Sequence, residues 1–234
     1  MQDWLQALLL SALTSAIYVL VGQLFAPKWF EATKKKKTAL LLAGAGFLLG
    51  IATGMLAWHV VSNVFYAISG AVIGVSTIYA SFTDIQYRRL SKSFQRIGYL
   101  LGIVSLVGMW LTGYVQDMVS AWTIGGTIGI GVGLALVLFL YALFSKKPLE
   151  KGFGMGDIRH MILLSIAVAP LGFLGIIWVI IGGGFLFFLR IVFAVAFQGG
   201  VKQFKSARSF GQYMQTGAML ALLQALVSGG PVLG

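Results

Sequence analysis

The chain has 234 residues, 59% of them apolar and only 10% charged, with a formal net charge of +11. Ordinary soluble domains carry about a quarter of their residues as charged side chains, and a fold of this length cannot hide so much apolar surface from water, so a soluble globular protein is excluded and lipid is the expected solvent. The basic excess does not point to nucleic acid, because Lys and Arg gather in cytoplasmic loops of membrane proteins; the absence of Cys removes disulfides, Cys-ligated zinc and thiol chemistry.

The N-terminus, Met1-Gln2-Asp3-Trp4, carries an acid and no base before its first apolar run, unlike a signal peptide, so that run reads as a retained helix. Stretches of about 17–25 apolar residues are long enough to cross a bilayer at about 1.5 Å per residue. Eight are predicted: 4–25, 38–57, 64–83, 97–113, 119–144, 157–170, 172–196 and 211–229. The sixth is short. Pro170-Leu171-Gly172 reads as a tight turn after it, with one long bent helix as the alternative. Gly125, Gly129 and Gly133 share one helix face, as helix-packing glycines do. The expected fold is all-α, a polytopic transmembrane bundle of about eight spans, with helices one and two and their basic loop in residues 1–63 and a core in 64–234.

The loops between these spans alternate in charge. Lys28 and Lys34 to Lys37 fall in the first, Arg88, Arg89, Lys92 and Arg96 in the third, Lys146, Lys147 and Lys151 in the fifth, and Lys202, Lys205 and Arg208 in the seventh. Arg159 and Arg190 sit at helix ends facing those loops. Even-numbered loops and both tails hold no Lys or Arg, while Asp3 and Asp117 fall on that side. With eight spans all seventeen basic residues land together, which predicts both termini outside and the odd loops in the cytosol. Lys34 to Lys37 mark topology and contact with lipid, anionic headgroups included, at about 1 kcal/mol per basic residue near the surface.

Six acids are present, of which Asp3, Glu31, Asp117 and Glu150 read as loop charges. Asp84 ends the third span and Asp157 opens the sixth, both on the predicted cytosolic side. An ionisable group at the hydrocarbon edge is costly and marks a functional candidate. Two carboxylates in a partly dry site do not both ionise freely, so one can hold a proton as acid while the other activates a water. Aspartic proteases use such a pair to hydrolyse a peptide bond without metal or cofactor. Plainer readings stand beside it: Asp84 paired with Arg88 one turn on, and Asp157 as a carboxylate favoured by a helix N-terminus. Gly154 and Gly156, before Asp157, permit close backbone approach by a substrate strand or by the other Asp. His160 reads as a packing or interfacial side chain and His59 as an outer-loop residue.

Gly154-Met155-Gly156-Asp157-Ile158-Arg159 resembles the Gly-x-Gly-Asp-x-Lys segment of the type IV prepilin peptidases and archaeal preflagellin peptidases, with Arg in place of Lys. Asp84-Ile85-Gln86-Tyr87-Arg88-Arg89-Leu90 resembles their first motif, and Ser209-Phe210-Gly211-Gln212-Tyr213 their Pro-Phe-Gly-Pro-aromatic stretch. The resemblance spans roughly residues 64–228 with the motifs in order. Ser91-Lys92 stands where Pro-Asn or Pro-Asp is usual, and Ser209 and Gln212 replace prolines. The methyltransferase segment with its paired CxxC motifs is missing. Presenilin-type proteases share Gly-x-Gly-Asp, but their Asp helices are adjacent and a Pro-Ala-Leu follows, neither of which holds here.

The resemblance implies a membrane aspartic endopeptidase in a prokaryotic inner membrane, cutting the short leader of a prepilin-like or preflagellin-like protein at the cytosolic face without N-methylation. It implies Asp84 and Asp157 as catalytic residues. Gly154, Gly156 and Gly211 would shape the site, and Arg88, Arg89 or Arg159 would balance charge or meet an acidic substrate group. The competing functions are a proton- or cation-coupled transporter and an inert scaffold of an assembly apparatus. Transport sites lie nearer the bilayer midplane than these two helix-end acids.

Overall fold

A computed structural model of the chain describes residues 2–25, 36–87, 92–115, 118–144, 155–186, 188–189, 192 and 211–229. Among them the helices are α1 (Gln2–Phe25), α2 (Lys36–Val61), α3 (Tyr66–Tyr87), α4 (Lys92–Leu111), α5 (Met118–Phe144), α6 (Met155–Val168), α7 (from Gly172) and α8 (Gly211–Val227). A 3₁₀ turn, Ala169–Leu171, joins α6 to α7, and α7 continues through a π-turn at Trp178–Gly182 and in helical form to residue 186. No strand occurs among the described residues. The fold is an all-α polytopic bundle.

Among the described residues, five helical stretches are long and apolar enough to cross a membrane: Gln2–Leu24, Ala39–Val61, Lys92–Leu111, Val119–Tyr141 and Gly156–Leu186. The last is not one span. A Cβ built on Gly175 would lie 2.8 Å from the Val168 carbonyl oxygen, whereas residues seven apart in a straight helix stand about 10 Å apart. Gly131 of α5 meets both Ser165 and Ile176. Chain reversal at Pro170-Leu171-Gly172 explains both contacts. Proline has no N–H with which to continue α6, and Gly172 takes φ 71°, ψ −161°, which a side chain disfavours. The tight turn holds, and the long bent helix does not.

Contacts fix the direction of every helix. Gly54 meets Ser11 while Gly46 meets Val19, so α2 runs against α1. Gly70 meets Ala57 and Gly74 meets Gly50, so α3 runs against α2. Tyr79 stacks on Phe94 while Ser69 Oγ donates to Ser105 Oγ at 2.9 Å, so α4 runs against α3. Gly98 meets Leu163 and Gly102 meets Ile166, so α6 runs parallel to α4. Gly131 meets Ser165 while Gly126 meets Phe173 beyond the turn, so α5 opposes α6. Gly183 meets Met214 and Gly217 meets Val179, so α8 opposes α7. The eight described helices therefore alternate in direction along the chain.

One end of the bundle receives the C-termini of α1, α3 and α5 and the N-termini of α2, α4, α6 and α8. The described basic positions Lys36, Lys37, Lys92, Arg96 and Arg159 all lie toward that end, and Asp3 and His59 toward the other. Lys92 and Arg96, expected in a loop, belong to the first turns of α4. Long polar side chains are good helix formers, so α4 starts before its apolar stretch does. His59 likewise lies in the last turn of α2.

The far end is closed by local hydrogen bonding. Asn63 Oδ1 accepts the Phe65 N–H at 3.0 Å, and its Nδ2 donates to Thr112 Oγ1 at 2.9 Å, tying the α2–α3 turn to the end of α4. Gly113, with φ 79°, ends α4, and the Tyr114 N–H reaches back to the Met109 carbonyl at 3.0 Å while the Gly113 N–H reaches Trp110 at 3.1 Å. These paired bonds satisfy carbonyls that a helix C-terminus otherwise leaves open.

One core cluster joins Ala57, Val60 and Val61 of α2 to Leu164 of α6 and Met214 and Leu222 of α8. Packing is thus continuous across residue 63. A second cluster seats Phe94 between Tyr18, stacked at 4.1 Å, and Tyr79, at 5.1 Å. Outward, Leu5, Leu9, Leu13, Leu20 and Leu24 of α1 and Leu136, Val137, Leu140 and Phe144 of α5 are exposed, as a lipid-facing surface requires. Gly125, Gly129 and Gly133 face that surface, and a Cβ on each would meet nothing within 4 Å among the described residues, contrary to the packing role expected of them. Glycines that do bring helices together include Gly46, Gly50 and Gly54 of α2 and Gly70 and Gly74 of α3. Adding side chains tests the distinction. A Cβ at Gly74 would stand 2.6 Å from the Leu49 carbonyl oxygen and 2.8 Å from Gly50 Cα. Gly74→Val should cost about 1–3 kcal/mol or more, seen as a lower unfolding midpoint in detergent, whereas Gly129→Ala should stay within about 0.5 kcal/mol of the parent.

Candidate functional site

The first two turns of α6 are tied to α4 and α8 by side-chain hydrogen bonds. Asp157 lies in the first turn and is 3% exposed. A helix N-terminus presents unpaired N–H groups and a partial positive charge, which favour a carboxylate there. Gln95 and Tyr99, one turn apart on α4, reach across to the α6 backbone. Gln95 Nε2 donates to the Gly156 carbonyl at 2.9 Å, and Tyr99 Oη donates to the Arg159 carbonyl at 2.5 Å. The two carbonyls they take bracket Asp157. Gln95 is 1% exposed, and its Oε1 has no hydrogen-bond partner among the described residues.

On another side of α6, the His160 ring meets α8. His160 Nε2 lies 2.7 Å from Gln215 Oε1. Gln215 Nε2 donates to the Ile73 carbonyl of α3 at 2.6 Å and to Thr77 Oγ1 at 3.0 Å. A carbonyl can only accept, so the Gln215 atom facing Ile73 is the NH₂ group. Its other terminal atom is then an acceptor, and the His160 nitrogen facing it carries the proton. His160 and Gln215 are both essentially inaccessible to solvent.

This junction sets the level of the two acids. Asp84 stands seven residues after Thr77 in α3, on the same stripe and about 10 Å nearer the basic end. Asp157 stands three residues before His160 in α6, about 4.5 Å nearer that end. The backbone thus carries both positions from one shared contact toward one end of the bundle. Gly156 lies in the first turn of α6, Arg159 is half-buried in the second, and Gly211 opens α8. Gly154, Arg88 and Arg89 lie outside the described residues, as do Glu31, Asp117 and Glu150. No three His, Cys, Asp or Glu side chains converge as a metal-ligand set among the described residues.

Reading the chain alone missed Gln95, Tyr99, Thr77 and Gln215, and gave His160 only a packing role. A signal was present. A Gln within an apolar helix is costly unless its amide is bonded, so Gln95 and Gln215 had to have partners. No protein-family profile, curated protein or solved structure matches the chain.

The α4 clamp can be tested without any assay of function. Tyr99→Phe and Gln95→Leu should each remove about 0.5–1.5 kcal/mol of local stability. Hydrogen exchange followed by mass spectrometry should then report faster exchange over residues 156–162 and unchanged exchange in α2.

Proposed function

We propose that this chain is a membrane aspartic endopeptidase that cuts the short N-terminal leader of prepilin-like or preflagellin-like proteins at the cytosolic face of a prokaryotic inner membrane. The observation that carries the reading is a buried carboxyl, Asp157, in the first turn of α6, at the bundle end to which α3 brings Asp84. The Gly-Met-Gly-Asp order around it and the resemblance of three motifs in sequence add to that support.

In this mechanism one carboxyl keeps a proton and the other draws a proton from a water held between them. The water attacks the scissile carbonyl while the protonated partner gives its proton to the carbonyl oxygen; the carboxyl that took the water's proton then passes it to the departing amine, and its partner recovers a proton from the diol hydroxyl as the C–N bond breaks. The pair shares its titration, so neither role belongs to one Asp in isolation. Burial matters because it disfavours two negative charges side by side and so keeps one proton in place. Gly154 and Gly156 let an extended substrate segment lie close to the start of α6. Arg88, Arg89 and Arg159 supply positive charge around the pair. The substrate bond lies just before an apolar helix, so the substrate waits at the membrane surface with its own helix in lipid.

The required orientation puts the basic end in the cytosol and both termini outside. The absence of native Cys makes this simple to test. A membrane-impermeant maleimide added to intact cells should label Gln2→Cys and spare Arg96→Cys, both exposed positions, and inverted vesicles should reverse the pattern. The opposite pattern overturns the orientation. For the chemistry, Asp84→Asn and Asp157→Asn should each abolish cleavage of a leader-bearing substrate in reconstituted membranes while insertion and helix content stay normal. Near-normal processing by either variant, or ion flux in liposomes with no proteolysis by the parent, sinks the peptidase reading.

A further inference from the structure

We infer that Gln215 is the positioning residue of the site: by joining the His160 ring of α6 to the Ile73 carbonyl of α3, it fixes the separation of the Asp157- and Asp84-bearing ends of those helices. The inference rests on the peptidase reading for its catalytic meaning, and on geometry alone for the junction.

The Gln215 amide is planar and makes three bonds, donating two to α3 and accepting one from α6. Its length is therefore a fixed spacer between the two helices. The Ile73 carbonyl is heavily loaded. It accepts from Gln215 Nε2 at 2.6 Å, from Thr77 Oγ1 at 2.8 Å and from Ser76 Oγ at 3.1 Å. Hydroxyls that bond back to a carbonyl one turn earlier, and side chains that insert into the helix ladder, are recognised causes of helix bending. Three donors on one carbonyl place such a pivot at Ile73, and Asp84 lies three turns beyond it. What pulls on Ile73 consequently aims the end of α3. On the α6 side, Asp157 is one turn from His160, too close to the anchor to move independently of it.

Ordinary packing does not call for this arrangement. An apolar residue at 215 would fill the volume without burying an amide, and a buried polar network is retained at a cost unless it specifies one geometry. The His160 ring is committed through Nε2, and its Nδ1 has no partner among the described residues. Its bond to Gln215 is thus the polar tie that holds the ring.

The test uses the full chain in lipid nanodiscs. Nitroxide labels at Tyr87→Cys and Arg159→Cys, three residues after Asp84 and two after Asp157, report the spacing by double electron–electron resonance, and labels at His59→Cys and Trp110→Cys report the far end. The parent should give one narrow distribution. Gln215→Met and His160→Leu should shift or broaden the near-end distribution and leave the far end unchanged. His160→Gln, whose amide N–H can replace the ring N–H, should retain the parent distribution. In cleavage assays Gln215→Met should lower kcat about tenfold or more with KM within about twofold, as loss of an alignment made for the reaction predicts. An unchanged near-end distribution in both Gln215→Met and His160→Leu overturns the inference, as does equal disturbance at both ends. Altered spacing in both variants of a parent that itself never cleaves supports the junction and removes the peptidase reading, so the two stand or fall separately.

Discussion

The reversal at Pro170-Leu171-Gly172 is the constraint on which the architecture depends. It sets the parity of the chain. With it, α8 enters the bundle from the same end as α6, and Gln215 in the second turn of α8 comes level with His160 in the second turn of α6. Without it, α8 would begin at the opposite end, and its early residues would lie far from both acids. The turn is tolerated because its residues remain buried against α5 and α8, where irregular backbone at membrane depth can be covered by protein. One glycine at φ 71° therefore decides which polar side chains meet.

Close approach is the second organising fact. Lipid gives helices little hydrophobic reason to associate, so contact area and interhelical polar bonds have to hold them. α2 and α3 take the first route, with Gly50, Gly54, Gly70 and Gly74 letting backbones nearly touch. α6 takes the second, through Gln95, Tyr99 and His160. Those ties of α6 lie at the basic end, where the candidate chemistry lies.

Much of this was legible in the residue order. Apolar run lengths placed each described helix within a few residues, and one-sided basic charge required an even number of traverses. The start of α4 was set late because hydropathy is blind to helix-forming polar residues such as Lys92, Gln95 and Arg96. The pattern Gly125, Gly129, Gly133 reads like a packing face but turns outward, because spacing identifies a helix face without saying what it meets. The two acids were visible as rare charges at span ends. The side chains that set their level were not, since Gln215 and Thr77 are far apart in sequence and become partners only when α8 and α3 are neighbours.

The shortness of α6 bears on how the protein is made. Fourteen residues rise about 21 Å, well under the roughly 30 Å of a hydrocarbon core. Such an arm cannot be handed to the bilayer alone as a stable intermediate, and its tip would expose turn carbonyls to lipid. A hairpin of both arms packed on α5 covers that turn, and on physical grounds is the form in which they are stable in the bilayer. The hairpin, rather than either arm, is then the smallest unit of this half of the bundle that the bilayer can hold.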